Sequence, residues 1–211
     1  MAEIIIPSDD KLILPSYDRS GEVPSIVKDD ELTLRKFQLL PEDHPILKKE
    51  PLPWIFGTNP EPDRMRLIML ENMVAHNGLG LSANQIGMPV KVFSMYVTEE
   101  EGIVCFNPKI TWVSDEKVTM KEGCLSFPEL YLNISRPKMI EAEYQNADGE
   151  KINVHLEDLA ARIFHHEMDH MMGTTFLDRV SKVRLQSARK KQKILLRKRK
   201  RDGRASWKIW F

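Results

Sequence analysis

The stretch "FHHEMDHMMG", residues 164–173, places two histidines four positions apart, with a glutamate directly after the first. On a helix, positions i and i+4 share a face, so His166 and His170 would point their imidazoles at one spot. Two buried histidines need partners for their nitrogens, and a divalent metal supplies one directly. Glu167, about 100° around the helix, could then hold a metal-bound water without ligating the metal. The alternative is a chance pair of surface histidines.

A metal site of this kind needs a third ligand, since catalytic sites take three protein ligands and keep one position open. No histidine follows His170 in the chain, which excludes the continuation found in metzincins. The stretch "KEGCLSFPELY" (121–131) offers Cys124 between two apparent strands, and a thiolate binds borderline metals strongly. The alternative for Cys124 is a small buried apolar residue, which is also how we interpret Cys105.

Hydrophobic periodicity predicts two helices. The first begins after Pro62, with Asp63 as its cap, and ends at Asn77-Gly78. Its apolar positions are Leu67, Leu70, Met73 and Val74. The second begins at Asp158, ends at Gly173 and carries the histidine pair, with Leu159 and Ile163 earlier on the same face.

Period-two patterns predict strands at 90–97 and 102–110 and a hairpin across 139–157. Four prolines within 39–56 predict an extended strap on the core. Because the strands do not alternate strictly with the helices, the pattern predicts an α+β fold.

Bulk composition limits the class of protein. The chain has 211 residues, of which 42% are hydrophobic, enough for one domain with a real core. No apolar run approaches the roughly 20 residues of a transmembrane helix. Two cysteines give no disulfide framework, and the N-terminus lacks the pattern of a secretory signal. We therefore expect a cytoplasmic protein without a transmembrane segment.

The formal net charge of zero conceals a strong asymmetry. Residues 179–211 contain 14 Lys/Arg and one acidic residue, a net charge of +13, which leaves −13 for residues 1–178. Such a basic tail is typical of proteins with a polyanionic partner. The alternatives are a solvated, partly helical tail and a tail that packs on the acidic body.

Three stretches, "GLGLSANQIG" (78–87), "EGCLS" (122–126) and "HEMDH" (166–170), resemble in this order the signature motifs of the peptide deformylases. The resemblance covers about residues 40–178. It divides the chain into an N-terminal extension (1–40), a catalytic domain (41–178) and a basic C-terminal tail (179–211). It implies small antiparallel or mixed sheets packed around a central helix that carries the HEMDH motif. The implied activity is removal of the formyl group from the N-terminal formyl-methionine of nascent chains, by attack of a metal-bound hydroxide on the formyl carbon.

The resemblance also implies residue roles. Cys124, His166 and His170 become the ligands of one divalent metal, most typically Fe²⁺, with Zn²⁺, Ni²⁺ or Co²⁺ able to replace it. Glu167 becomes the general acid/base. The side chain of Gln85 and the backbone N–H of Leu125 become the oxyanion donors, although Gln85 taken alone could be a surface residue.

Six positions are candidates for substrate binding: Gly78, Gly80, Ile86, Glu122, Gly123 and Ile163. Glycine backbone can approach a ligand closely, although Gly78 could equally be a plain helix stop. Ile86, Leu125 and Ile163 could line an apolar methionine pocket or belong to the ordinary core. Glu122 could support the site by a hydrogen bond or be exposed.

Two positions depart from the family pattern. His165 stands where glutamine is frequent, and could add a positive charge or simply form a hydrogen bond. Tyr131 stands where bacterial members often carry an arginine that helps to hold the substrate.

The basic tail corresponds in place to a C-terminal helix that docks bacterial family members on the ribosome. We therefore predict salt-dependent binding to ribosomes or rRNA that vanishes on truncation after Ser181. No DNA partner is expected. Two rival functions stay open: an HExxH-type metallopeptidase, and an inactive ribosome- or RNA-binding module with a basic tail.

Overall fold

A computed structural model of the chain describes residues 36–57, 61–98 and 101–202. Most of the predicted N-terminal extension lies outside this described part. Within it, three α-helices are present: α1 (Pro62–Ala75), α2 (Asp158–Met171) and α3 (Lys182–Asp202). The strands of the same part are β1 (Gly80–Ser82), β2 (Val92–Tyr96), β3 (Gly102–Val113), β4 (Lys117–Cys124), β5 (Phe127–Pro137), β6 (Met139–Gln145) and β7 (Lys151–Glu157).

The strands form two antiparallel sheets. One has five strands in the order β1-β2-β3-β6-β7, and the other is the β4-β5 hairpin. Helix α2 packs against strands of the larger sheet and also contacts β5 of the smaller one. The predicted α+β class and the central position of the HEMDH helix are therefore confirmed. The predicted hairpin is also confirmed as β6-β7, with Gly149 at a φ of 81° in its turn.

The apolar face of α2 holds the helix on the larger sheet. Phe164 lies edge-on against Phe93 of β2, with ring centroids 5.1 Å apart, and Ile163 is buried beside it. The predicted stripe is wrong at its first member, because Leu159 is 42% exposed. The chain passes directly from β7 into α2 at Asp158, whose φ is 48°, and the first helical turn leaves Leu159 at the surface.

Helix α1 buries a broader face than the predicted stripe. Its buried apolar residues are Met65, Ile68, Met69, Leu70 and Met73. Leu67 is 37% exposed, so its predicted place in the core is wrong. The N-cap is Glu61 rather than Asp63, which instead pairs with Arg66 in the first turn.

The segment 36–57 runs over the core as the prolines predicted. A 3-10 helix, Pro45–Lys48, interrupts it, and Leu52 forms a parallel bridge with Val90. Residues 36–40 belong to the packed body, since the Phe37 N–H donates to Asn72 Oδ1 at 2.7 Å. The strap also lies against Gly173, at the end of α2. A Cβ added there would lie 2.5 Å from the Glu50 nitrogen.

Helix α3 packs on the smaller sheet. Leu185 and Ala188 cover the apolar cluster around Leu130 and Leu132, and the side-chain amide of Gln192 donates to the Pro128 carbonyl at 2.7 Å. Two arginines add ion pairs to the acidic body: Arg189 with Glu42 at 2.7 Å and Arg199 with Glu129 at 3.1 Å. Helix α3 is therefore docked on one face, while its other face carries exposed basic side chains. No helix in the described ranges has both the length and the apolar character needed to span a bilayer.

We predict that Gly173→Ala destabilises the fold more than Gly57→Ala. Both glycines have positive φ, 65° and 82°, and alanine in that conformation costs about 1–2 kcal/mol. Only Gly173 also faces backbone, since no described atom lies within 4 Å of a Cβ at Gly57. Urea denaturation of both variants measures the difference, and equal losses would contradict the contact between strap and helix.

Candidate metal centre

Three donor atoms converge between helix α2 and strand β4. Cys124, His166 and His170 are all buried, and one ligand atom from each lies within 4.8 Å of the other two. The Cys124 sulfur is 3.5 Å from His170 Nε2. The two histidines come from adjacent turns of α2, while the cysteine ends β4, immediately before the turn into β5.

The donor set fits a divalent metal. Metal–ligand distances of about 2.0–2.3 Å in a tetrahedral site place sulfur and nitrogen donors about 3.3–3.6 Å apart. The sulfur–nitrogen distance of 3.5 Å falls in this range. One thiolate and two imidazoles suit borderline metals, and three protein ligands leave a coordination position for water or substrate.

A buried carboxylate orients the first histidine. Glu122 has no exposed surface, and its Oε2 lies 3.1 Å from His166 Nδ1, which leaves His166 Nε2 to face the other donors. Arg136 donates to both Glu122 oxygens, at 2.7 and 2.8 Å, and Arg162 donates to Oε1 at 2.8 Å. Burial acts to raise the pKa of Glu122, but hydrogen bonds from Arg136 and His166 outweigh it and hold that pKa well below its usual range.

A second carboxylate extends this network along α2. Asp169 accepts a hydrogen bond from Arg136 at 2.9 Å and pairs with Arg179 beyond the end of the helix. Arg136 therefore joins β5 to both carboxylates, one on β4 and one on α2. Fixing the outer partners of a metal ligand fixes its tautomer and its direction. The charge network thus sets the angle at which His166 enters the site.

Glu167 lies beside the three donors and is held by strand β1. Its Oε2 accepts a hydrogen bond from the Ser82 hydroxyl at 2.5 Å. A Cβ added to Gly80 would lie 2.5 Å from Glu167 Oε1, so the missing side chain makes room for this carboxylate. Burial raises the pKa of Glu167 to about 7. A carboxyl group with a pKa near neutrality is well suited to both take and return a proton.

Gln85 is buried at the edge of the site. Its Oε1 accepts the Ser82 N–H at 2.9 Å, and its Nε2 points to the turn after β4. That amide nitrogen is 3.4 Å from the Cys124 sulfur and 3.2 Å from the Ser126 hydroxyl. The reading of Gln85 as a surface residue is therefore wrong, since only 1% of it is exposed.

The candidate substrate-binding residues lie along two facing segments. A Cβ at Gly78 would lie 2.8 Å from Leu125 Cδ1, so the glycine loop before β1 contacts the turn after Cys124. A Cβ at Gly80 would lie 2.9 Å from Ile163 Cγ2. Gly123 is buried, and its Cα faces the ring of Tyr131. Ile86 is buried in the core cluster around α1, with Leu125 at the edge of that cluster.

His165 does not add a charge to the site. Burial, followed by the nearby Arg136, lowers the pKa of His165 to about 4, so its ring is neutral at physiological pH. The prediction of a possible positive charge at this position is therefore wrong.

Sequence reasoning missed four residues that hold the site together: Ser82, Arg136, Arg162 and Asp169. The sequence did contain a clue to Arg162. It lies one helical turn before His166, and a charged residue on a face expected to be buried needs a charged partner. The sequence contained no clue to Arg136, since its contacts depend on how β5 pairs with β4.

Comparison with known proteins gives one consistent result. A family model described as polypeptide deformylase matches residues 37–186. A peptide deformylase from Thermotoga petrophila is 39% identical over 158 residues, which cover 74% of this chain and 94% of that protein. The crystal structure of peptide deformylase from Thermotoga maritima superposes with a TM-score of 0.66 and 35% identity, covering 70% of this chain and 99% of that one. The crystal structure of the Ehrlichia chaffeensis peptide deformylase in complex with actinonin superposes with a TM-score of 0.68 and 32% identity. The match covers 75% of this chain and 96% of that one.

We predict that Arg136→Met destabilises the protein by about 3–5 kcal/mol, because it removes a partner from two buried carboxylates. The matched control is Lys138→Met, two residues further on. Lys138 pairs with Glu116 at 3.5 Å on the surface, and its loss should cost less than about 1 kcal/mol. Chemical denaturation measures both values. Similar losses would show that the buried network contributes no more than a surface pair.

Proposed function

We propose that this chain, which belongs to the peptide deformylase family, hydrolyses the formyl group from the N-terminal formyl-methionine of nascent polypeptides. The observation that carries the proposal is the convergence of Cys124, His166 and His170 beside Glu167. Family membership alone gives the reaction class, and an intact donor set argues against an inactive binding module.

The metal ligands in this proposal are Cys124, His166 and His170. We assign one divalent ion per chain, with Fe²⁺ first and Zn²⁺, Ni²⁺ or Co²⁺ as substitutes, because a thiolate and two imidazoles accept all of these. When bound, such an ion lowers the pKa of water and polarises a carbonyl oxygen. Cys124 acts as a ligand and not as a nucleophile.

Glu167 is the proposed general acid/base. Its carboxylate takes the proton of the attacking water and later gives a proton to the departing amine, so that the products are formate and a free N-terminus. Ser82 and Gly80 contact its two oxygens from β1, which supports a single orientation of the carboxylate.

Two donors are proposed for the negative charge that grows on the formyl oxygen. Gln85 Nε2 already points to the Cys124–Ser126 turn, and the backbone N–H of Leu125 belongs to that same turn. A preorganised donor of this kind contributes about 3 kcal/mol to the transition state. Buried, fixed donors need little reorganisation during the reaction.

The substrate peptide is proposed to pass between the two facing segments. Gly78 and Gly80 belong to the segment that forms β1 and Gly123 to the end of β4, and their backbone N–H and carbonyl groups are the proposed partners of the peptide main chain. Two residues supply apolar contacts for a methionine side chain: Ile163, which lies beside Gly80, and Leu125, which lies beside Gly78. Ile86 and Glu122 support the site without contacting the peptide. Ile86 packs in the core cluster around α1, and Glu122 orients His166.

The function is tested by assaying formyl-Met peptides and the same peptides without the formyl group, each with and without chelator. We expect formate release from the first substrate, loss of activity with chelator and recovery with metal. Cleavage of internal peptide bonds in the unblocked peptide would instead support the rival metallopeptidase.

We predict that Glu167→Gln retains the metal but loses about 10²–10⁴-fold in turnover. The metal stays because the three ligands are unchanged, and turnover falls because an amide cannot accept the proton. Metal analysis and formate release measure the two effects. Glu141→Gln, on the exposed side of β6, is the control and should leave both unchanged. Wild-type turnover in Glu167→Gln would eliminate the assigned acid/base.

We further propose that the exposed face of α3 binds ribosomal RNA and that the chain works in the cytoplasm, where nascent chains emerge. The docked face uses Arg189, Gln192 and Arg199 on the body. Exposed basic side chains remain at Lys190, Lys193 and Arg197, among others. Phosphate neutralisation by such side chains releases counterions and gives salt-dependent affinity.

We predict that the triple variant Lys190→Gln, Lys193→Gln and Arg197→Gln binds ribosomes more weakly, with the salt slope of binding reduced by up to about 3. These substitutions leave the docked face of α3 intact, whereas truncation after Ser181 would also remove the packing of Leu185. The control removes the same charge from the exposed residues Lys109, Lys117 and Lys151. Cosedimentation at several salt concentrations measures the slopes, and equal slopes would refute binding through α3.

A further inference from the structure

Ser82 occupies a position between the two side chains to which chemical roles are assigned. It is fully buried in β1, and its hydroxyl donates to Glu167 Oε2 at 2.5 Å. The Ser82 backbone N–H donates to Gln85 Oε1 at 2.9 Å. One residue therefore contacts the proposed acid/base and also fixes the proposed oxyanion donor.

The proton of this hydroxyl has one direction available to it. A serine hydroxyl donates one hydrogen bond and accepts others. Glu167 Oε2, at 2.5 Å, is the acceptor that this hydroxyl contacts, so the single Ser82 proton lies between the hydroxyl oxygen and the carboxylate.

Strand β1 contacts the Glu167 carboxylate at both oxygens. Gly80 and Ser82 are two residues apart, so they face the same side of the strand. Ser82 binds Oε2, while the bare Cα of Gly80 leaves room for Oε1. Rotation about the last side-chain torsion of a glutamate is otherwise only weakly restricted, so an unheld carboxylate would point its oxygens in many directions.

We propose that Ser82 is a positioning residue for the hydrolytic reaction. By holding Oε2 of Glu167, the Ser82 hydroxyl presents the other carboxylate oxygen to the reacting proton, while the Ser82 backbone N–H, which alanine would keep, holds the Gln85 amide. This inference rests on the proposed deformylase function. It assigns to Ser82 an effect on the rate of turnover and not on metal binding, since Ser82 contacts none of the three metal ligands through the hydrogen bonds described above.

The test compares Ser82→Ala with Ser94→Ala in the metal-loaded full chain. Ser94 is also fully buried, on the neighbouring strand β2, and its hydroxyl donates to the Met69 carbonyl at 3.1 Å. The control thus removes a buried hydroxyl without touching Glu167. We expect Ser82→Ala to lower kcat on a formyl-Met peptide about tenfold, with KM and metal content within about twofold of wild type. Ser94→Ala should keep kcat within about twofold, whatever its effect on the melting temperature.

A second measurement separates an effect through Glu167 from a general loss of packing. In a Glu167→Gln background, Ser82→Ala should change the residual kcat by less than about twofold, because the carboxylate that it orients is already gone. Ser82→Thr, which keeps the hydroxyl, should recover most of the wild-type kcat if it folds.

The inference is overturned if Ser82→Ala keeps wild-type kcat, if Ser94→Ala lowers kcat equally, or if the loss is fully additive with Glu167→Gln. A wild-type chain without deformylase activity would be a different failure, that of the proposed function itself. The wild-type assay is therefore run first, and the variants are compared with it.

Discussion

The buried carboxylate of Glu122 is the interaction on which the rest of the site depends. A charge with no exposed surface is stable only if its partners are close and well aligned, and here they are Arg136, Arg162 and His166. These partners belong to β5 and α2, while Glu122 itself lies near the end of β4. One carboxylate thus joins the smaller sheet to the central helix and directs a metal ligand at the same time.

The active centre is assembled from three stretches that no local interaction brings together. Strand β1 supplies the contacts to Glu167, the turn after β4 supplies the sulfur, and α2 supplies the imidazoles. Packing of α2 on the larger sheet, with Phe164 against Phe93, places the first and third stretches side by side. The ion pairs of Glu122 then hold the second stretch, the turn after β4, against α2. Hydrophobic packing therefore gives the approximate placement, and buried charges give the precise one.

The sequence predicted those features that depend on local pattern. The class of fold, the HEMDH helix and the β6-β7 hairpin followed from periodicity and turn residues. The errors have a common cause. Leu67 and Leu159 are apolar and correctly spaced but exposed, because burial depends on which other elements cover a residue, and periodicity does not contain that information. Ser82 and Arg136 were missed for a related reason. Glu167 is 85 residues from Ser82, and the two carboxylates that Arg136 binds are 14 and 33 residues away on other elements.

The packing of helix α3 links it rigidly to the metal site. Gln192 binds the carbonyl of Pro128, only four residues after Cys124, and the connection from α2 is pinned by Arg179 on Asp169 and by the buried Phe176. Helix and metal ligand are thus parts of one stiff unit and not two modules on a flexible tether. A large assembly that binds α3 would therefore also fix the position and orientation of the metal site relative to a nascent polypeptide that leaves that assembly. The local concentration of that chain would then depend on rigid geometry rather than on linker length.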